Sequence, residues 1–279
     1  MNDVDGSEPE NGLARMKSDL RGWSLNGFRA IADLVLPPIC VHCHTPVTDH
    51  GVLCADCWSG VEFITPPVCD RLGVPLRIAD LDGGVPLSAA AQRDLPVFAR
   101  ARAAAQFSGV MRNLIHGLKY ADRHEATGML ARLMWSAGSE LLRDADLIMP
   151  VPLHPRKLWS RRFNQAAILA RNISALSGVP ADLFSLKRQR HTPSQVGLTA
   201  QDRQANMMAA FAVAPRRAAA LAGKRILLID DVLTTGSTLS ACALVLKRAG
   251  ASEVDCLAAA TSTYQPASSQ SIPHLGTVS

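Results

Sequence analysis

Aromatic side chains are scarce: Phe, Tyr and Trp together make up 5% of the 279 residues. So thin a supply of flat rings argues against tight, unassisted binding of single-stranded nucleic acid by base stacking. Long apolar runs are missing too. Apolar stretches such as residues 226–229 and 257–260 fall far short of the ~20 residues a bilayer crossing needs, so no membrane insertion is expected. The first residues carry Asp3, Asp5, Glu8 and Glu10 with no apolar stretch behind a basic flank, so no secretory signal is expected and the chain reads as cytoplasmic. Two phosphate-binding signatures are absent as well: no G-x-x-x-x-G-K-[ST] loop of a nucleotide triphosphatase, and no G-x-G-x-x-G of a dinucleotide fold.

What is present is a 48% hydrophobic composition, ordinary for a packed core, in a chain long enough for one large domain or two modest ones. The net charge of +5 is unevenly placed. Between residues 150 and 224, twelve basic side chains stand against only Asp182 and Asp202, a local net of +10 that leaves −5 elsewhere. That surplus suits a small polyphosphate or a nucleic-acid backbone; a solvated basic face is the plain alternative.

Four of the seven cysteines form Cys40-x-x-Cys43 and, ten residues on, Cys54-x-x-Cys57. In a reducing compartment this spacing indicates metal rather than disulfides, and four thiolates on two knuckles suit a tetrahedral structural Zn²⁺. The module is too short for a sizeable core, and zinc would stand in for one. His42, His44 and His50 lie among ligands whose shell is already full, Cys69 stands apart as a spare thiol, and Cys242 and Cys256 read as core residues.

Along the chain, residues 1–22 read as a disordered leader and 23–76 as an amphipathic helix (Leu25, Phe28, Ala32, Val35) followed by the cysteine module. Residues 77–96, with Gly83-Gly84 and two prolines, read as a linker, 97–264 as an α/β domain, and 265–279 as a disordered tail. In the α/β domain, strands are expected at 103–107, 147–151, 225–229 and 254–260, and helices at 110–118, 129–141, 163–177 and 238–249. Residues 183–187 and 210–213 would flank a long polar hairpin tip. No internal repeat is apparent.

The most specific stretch is Lys224-Arg-Ile-Leu-Leu-Ile-Asp-Asp-Val-Leu-Thr-Thr-Gly-Ser-Thr-Leu239. An apolar strand ends in Asp230 and Asp231, a short loop follows, and a helix begins at once. Helix-start N–H groups with the hydroxyls of Thr234, Thr235, Ser237 and Thr238 would form a phosphate nest, and Gly236 would let the backbone approach closely. The two carboxylates can accept from sugar hydroxyls or hold a hydrated Mg²⁺.

This segment resembles the phosphoribosyl-pyrophosphate signature of type I phosphoribosyltransferases. The resemblance implies a mostly parallel sheet flanked by helices, ribose hydroxyls on Asp230 and Asp231 as the catalytic pair, and the 5′-phosphate on Thr234, Thr235, Gly236, Ser237 and Thr238. It also implies Mg²⁺ supporting a pyrophosphate leaving group, with catalysis by positioning and electrostatics. The family's pyrophosphate loop points to Arg156 and Lys157.

Zinc module and signature in this order are similar to the competence protein F (ComF) family. Phe107-Ser-Gly-Val, Leu118-Lys-Tyr-Ala-Asp122, Pro150-Val-Pro-Leu-His154 and Phe163-Asn-Gln165 match its motifs, as does the series Arg188, Thr192, Gln195, Leu198, Arg203, Asn206, Phe211. Arg162 stands where the family motif has glycine, and Leu72 where many members carry a cysteine that would partner Cys69. The resemblance implies phosphoribosyl pyrophosphate as ligand and, as partners, single-stranded DNA and the uptake proteins of natural transformation. Two other functions are compatible with the sequence: a nucleotide salvage or synthesis transferase with residues 188–206 as a lid, and a nucleic-acid adaptor without transferase activity that uses Arg156, Arg161 and Arg188. The acceptor and the formation of a homo-oligomer are left open, Lys119 and Tyr120 read as a helix end, and no general base is assigned.

Overall fold

The structure, a computed structural model, describes residues 36–76, 85–93, 95–120, 124–154, 158–159, 163–189 and 210–262. The leader, the helix expected on Leu25 to Val35, Arg156, Lys157, Arg161, Arg162, the hairpin tip with Thr192, Gln195, Leu198, Arg203 and Asn206, and the tail lie outside the described residues.

Four parallel strands form the central sheet: β1 (Ala101–Gln106), β2 (Leu147–Pro150), β5 (Arg225–Leu233) and β6 (Glu253–Thr261), in the order β1-β6-β5-β2. A separate antiparallel hairpin is made by β3 (Leu186–Arg188) and β4 (Phe211–Val213). The helices are α1 (Ala55–Ser59), α2 (Ala89–Arg93), α3 (Gly109–Tyr120), α4 (Thr127–Ala137), α5 (Ser139–Asp144), α6 (Gln165–Ser177), α7 (Pro215–Ala218) and α8 (Ser237–Arg248).

Both faces of the sheet are covered, which is why its strands are apolar without alternation. On β5, Leu227 and Ile229 join the core under α3, α4, α5 and α6, while Ile226 and Leu228 join the core under α8 and the hairpin. The two faces interleave with the period of two that a strand imposes. At the centre, the ion pair of Arg100 with buried Asp255 (2.6 Å) ties the entry of β1 to β6, and Asp144 lies 2.8 Å from the same guanidinium.

Two expected elements differ in extent. The helix expected over 129–141 is two helices broken at Gly138, where a Cβ would lie 2.7 Å from the Leu257 side chain. Glycine lets this turn press on β6, and any side chain there would overpack the core. Strand β5, expected to end at Ile229, continues to Leu233, because β6 offers Ala258, Ala260 and Thr261 as partners to Asp230, Val232 and Leu233. The two acids are therefore held inside a paired strand.

The cysteine module is built on β1, the open edge of the sheet. Phe63 bridges Ala105 in antiparallel fashion, with Ile64 N–H donating to Ala104 O (3.1 Å) and Gln106 N–H to Glu62 O (2.8 Å). An edge strand left bare would invite pairing with another chain, and the module occupies it.

The module contains an internal repeat of 29 residues, contrary to the sequence reading. Ile39 bridges Pro46 as Val68 bridges Pro75. Cys40 N–H donates to Thr45 O (2.8 Å) and Cys69 N–H to Val74 O (2.7 Å); His44 N–H donates to Cys40 O (3.0 Å) and Gly73 N–H to Cys69 O (2.7 Å). Val47 N–H on Pro38 O and Leu76 N–H on Pro67 O close both turns, at 3.1 and 2.9 Å. Each turn passes through a left-handed residue, His44 at φ 64° and Gly73 at φ 65°. Only the second is pressed against the sheet: a Cβ on Gly73 would lie 2.4 Å from Ala101 O, so glycine is required there.

Candidate phosphoribosyl site and metal centre

Toward the C-terminal end of β5 the chain sets Asp230 and Asp231, the two acids that the sequence singled out. In open parallel sheets this is where ligands bind. Asp230 and Asp231 are half-buried. Burial, followed by the adjacent Asp231 charge, pushes the Asp230 carboxyl up to about 8, although it accepts from the Asp231 N–H at 2.8 Å. Asp231 holds an ion pair with Lys119 Nζ at 3.0 Å. Lys119 stands at the end of α3, as the sequence reading has it, and there pairs with one of the two acids. A Leu-Lys-Tyr motif gives no sign of this, because the partner arrives from 112 residues later in the chain.

Beyond Leu233, the Thr-Thr-Gly turn leads into α8. Gly236 is the N-terminal cap at φ 74°, buried, and a Cβ there would lie 3.3 Å from the Phe98 ring. Gly236 has no side chain to cap α8, and the first N–H of the helix, that of Ser237, donates to Thr235 Oγ1 at 3.4 Å. Thr235 Oγ1 and Ser237 Oγ lie 2.8 Å apart at the mouth of the turn, and Thr234, Thr235 and Ser237 are exposed. Arg188 on β3 places its guanidinium over the Phe211 ring, 5.3 Å from the centroid. The charges of Asp230 and Arg188 both act on the buried Cys242 thiol, which burial raises well above its ordinary value, so both lie on the α8 side of the sheet. Arg156 and Lys157 lie outside the described residues; the exit of β2 lies beside the acids, where Val151 N–H donates to Ile229 O at 2.9 Å.

The Phe-Asn-Gln motif sets the rim of this site. Asn164 accepts from Ala166 N–H (3.1 Å) to cap α6 and donates through Nδ2 to Val151 O (3.0 Å), fixing the exit of β2. Buried Gln165 donates to Leu118 O (3.2 Å), which holds the end of α3 next to Lys119.

In the first turn of the ribbon, the Sγ atoms of Cys40, Cys43, Cys54 and Cys57 all lie within 4.8 Å of one another. Tetrahedral ligation at about 2.3 Å sets sulfur atoms about 3.8 Å apart, so this set fits Zn²⁺ with small adjustment. Hydrogen bonding to Thr45 lowers the Cys43 thiol to about 6, while burial and the neighbouring thiols raise Cys57. Burial also acts on Cys40, but the backbone N–H groups of Cys43, Cys54 and His42 draw it below its ordinary value. His42 places Nδ1 3.2 Å from Cys57 Sγ and Nε2 3.1 Å from Asn113 Nδ2 on α3. A ligand sulfur is thereby linked through an imidazole to α3, the helix that carries Lys119.

Comparison with known proteins agrees with this layout. Residues 31–88 match the family model of a double zinc ribbon domain, and residues 163–272 that of a phosphoribosyl transferase domain. The chain is 30% identical over 222 residues to competence protein F of Haemophilus influenzae, covering 77% of this chain and 93% of the relative. It is also 30% identical over 227 residues to DNA utilization protein YhgH of Salmonella typhimurium, covering 79% and 96%. Among solved structures, partial overlaps include the allosteric regulatory enzyme of purine biosynthesis (20% identity, TM-score 0.35, 49% of this chain and 26% of that one). Another is a purine phosphoribosyltransferase from Pyrococcus horikoshii (18% identity, TM-score 0.30, 46% and 69%). With relatives matched along more than nine-tenths of their own length, the chain belongs to the competence protein F family.

Proposed function

We propose that the chain binds phosphoribosyl pyrophosphate with Mg²⁺ at the corner between β5 and α8, and that it supports natural competence by handling single-stranded DNA on the cytoplasmic side of the uptake machinery. The observation that carries the ligand reading is the juxtaposition of the α8 helix start, the Thr235–Ser237 hydroxyls and the Asp230–Asp231 pair at one strand end. Anion and sugar are then served by neighbouring groups of opposite character. The α8 N–H groups and hydroxyls take the 5′-phosphate, and the two carboxyls take the ribose hydroxyls.

Mg²⁺ binds through one or two carboxylates together with substrate phosphates, and it would neutralise charge on the departing pyrophosphate. The residues present fit that arrangement: one acid is already committed to Lys119, so the protein forms no closed cage and the phosphates must complete the shell. Lys119 forms an ion pair with Asp231 at 3.0 Å. The Asp231 carboxylate beside the ribose then opposes the positive charge that develops on the sugar ring as pyrophosphate leaves. Arg156 and Lys157, a few residues after β2 in the sequence, supply charge suited to that pyrophosphate, and Arg188 adds positive charge on the α8 side.

Calorimetric titration of phosphoribosyl pyrophosphate with Mg²⁺ into zinc-loaded protein tests the ligand reading. Saturable binding is expected, and it should be lost in an Asp230→Asn, Asp231→Asn variant; no binding by the intact protein refutes it. The competence reading is tested by complementing a transformation-deficient competence protein F deletion, which the intact chain should restore and the double variant should not.

A further inference from the structure

The matched family model names two zinc ribbons, yet the second turn of this chain has lost the chemistry of the first. The backbone equivalence of the two turns extends to their second arms. In the first, Cys54 immediately precedes α1, donates its N–H to Cys40 Sγ at 3.3 Å, and is followed three residues later by Cys57. In the second, Ser88 immediately precedes α2, donates its N–H to Cys69 Sγ at 3.2 Å, and is followed three residues later by Ala91. The four ligand positions of the first turn, Cys40, Cys43, Cys54 and Cys57, therefore correspond to Cys69, Leu72, Ser88 and Ala91.

A thiol, an isobutyl group, a hydroxyl and a methyl cannot make a zinc site, since Zn²⁺ needs three or four thiolate, imidazole or carboxylate ligands. The Ser88 hydroxyl lies instead 3.3 Å from the Ala91 N–H, as acceptor at the start of α2. Cys69 and Ala91 are fully buried, and Val74, Leu72, Leu76 and Leu87 pack with them into a small apolar cluster of their own.

We infer that the second ribbon holds no metal and that this cluster replaces it as the core of the lobe, so that the protein carries one Zn²⁺ per chain. The lobe keeps its ribbon backbone because the sheet uses it. Arg71 donates to Ala99 O at 2.9 Å, Arg102 spans from Asp70 (3.2 Å) to Glu140 (2.6 Å), and Gly73 presses on Ala101. Those contacts need the fold of the turn and are indifferent to what fills it.

The test is zinc content by mass spectrometry of the full chain, loaded with excess Zn²⁺ under reducing conditions and desalted. One equivalent is expected in the intact protein and in Cys69→Ala, and none in Cys43→Ser. Two equivalents in the intact protein overturn the inference. So does a zinc that survives Cys43→Ser but disappears with Cys69→Ala. Restoring the ligands with Leu72→Cys, Ser88→Cys and Ala91→Cys together should raise the content to two; a folded triple variant that stays at one overturns the equivalence of the turns. If that variant does not fold, the intact chain and the two single variants still decide.

Discussion

Replacing Asp230 with Asn should stabilise the ligand-free protein while removing its ability to bind phosphoribosyl pyrophosphate. The folded state holds the Asp230 proton up to about pH 8, against an ordinary value of 3.8, because the carboxyl is buried and faces the Asp231 charge. Between those two values the unfolded chain is ionised and the folded one is not. Stability contributed by Asp230 is therefore full below the unfolded value and falls as pH rises, by at most about 1.4 kcal/mol per unit, until the folded group also ionises. From pH 6 to pH 8 the loss comes to about 2 kcal/mol, or roughly 4–8 °C in Tm for a domain of this size. Asn keeps the shape and cannot ionise. Scanning calorimetry of zinc-loaded protein at pH 6, 7 and 8 should show the Asp230 form losing Tm faster than the variant, with the difference widening toward pH 8. Other groups titrate in this range, but they are common to both proteins and cancel in the difference. Parallel profiles would show that Asp230 is neither buried nor opposed as the geometry says.

Two further perturbations probe the frame around the site. Arg100→Met strands the buried Asp255 carboxylate, whose Oδ1 and Oδ2 accept from the guanidinium at 3.2 and 2.6 Å, and should cost about 3 kcal/mol in urea unfolding at neutral pH; a cost below about 1 kcal/mol would refute the pairing. Gly236→Ala puts a side chain at φ 74° and 3.3 Å from the Phe98 ring, so it should cost about 1–2 kcal/mol of stability. Because the same turn is to hold the 5′-phosphate, phosphoribosyl pyrophosphate affinity should fall roughly tenfold or more by calorimetry, and unchanged affinity would place the phosphate elsewhere.

Local chemistry decided what could be seen in the sequence. The apolar run 226–229 and the Thr-Thr-Gly turn are short-range patterns, and the strand, turn and helix stand where those patterns put them. The four-cysteine cluster is of the same kind, since its spacing alone closes the ligand set. The end of β5 was hidden because two adjacent aspartates look like a loop, and only the Ala258, Ala260 and Thr261 partners on β6 make them strand. The break at Gly138 depends on Leu257, a neighbour in space and not in sequence. The duplication in the ribbon was hidden for another reason: backbone hydrogen bonds and left-handed turns are what repeat, while the ligand side chains that would have announced it have changed.

The two ribbon lobes end at different halves of the same site. From the first, His42 joins Cys57 to Asn113, and about 9 Å further along α3 Lys119 grips Asp231. From the second, Arg71 holds the carbonyl of Ala99 beside Phe98, whose ring backs Gly236. The acid pair and the Thr-Thr-Gly turn are thus each moored to a separate half of one accessory module. A displacement of either half of the module would therefore be felt at the strand end or at the turn that it supports.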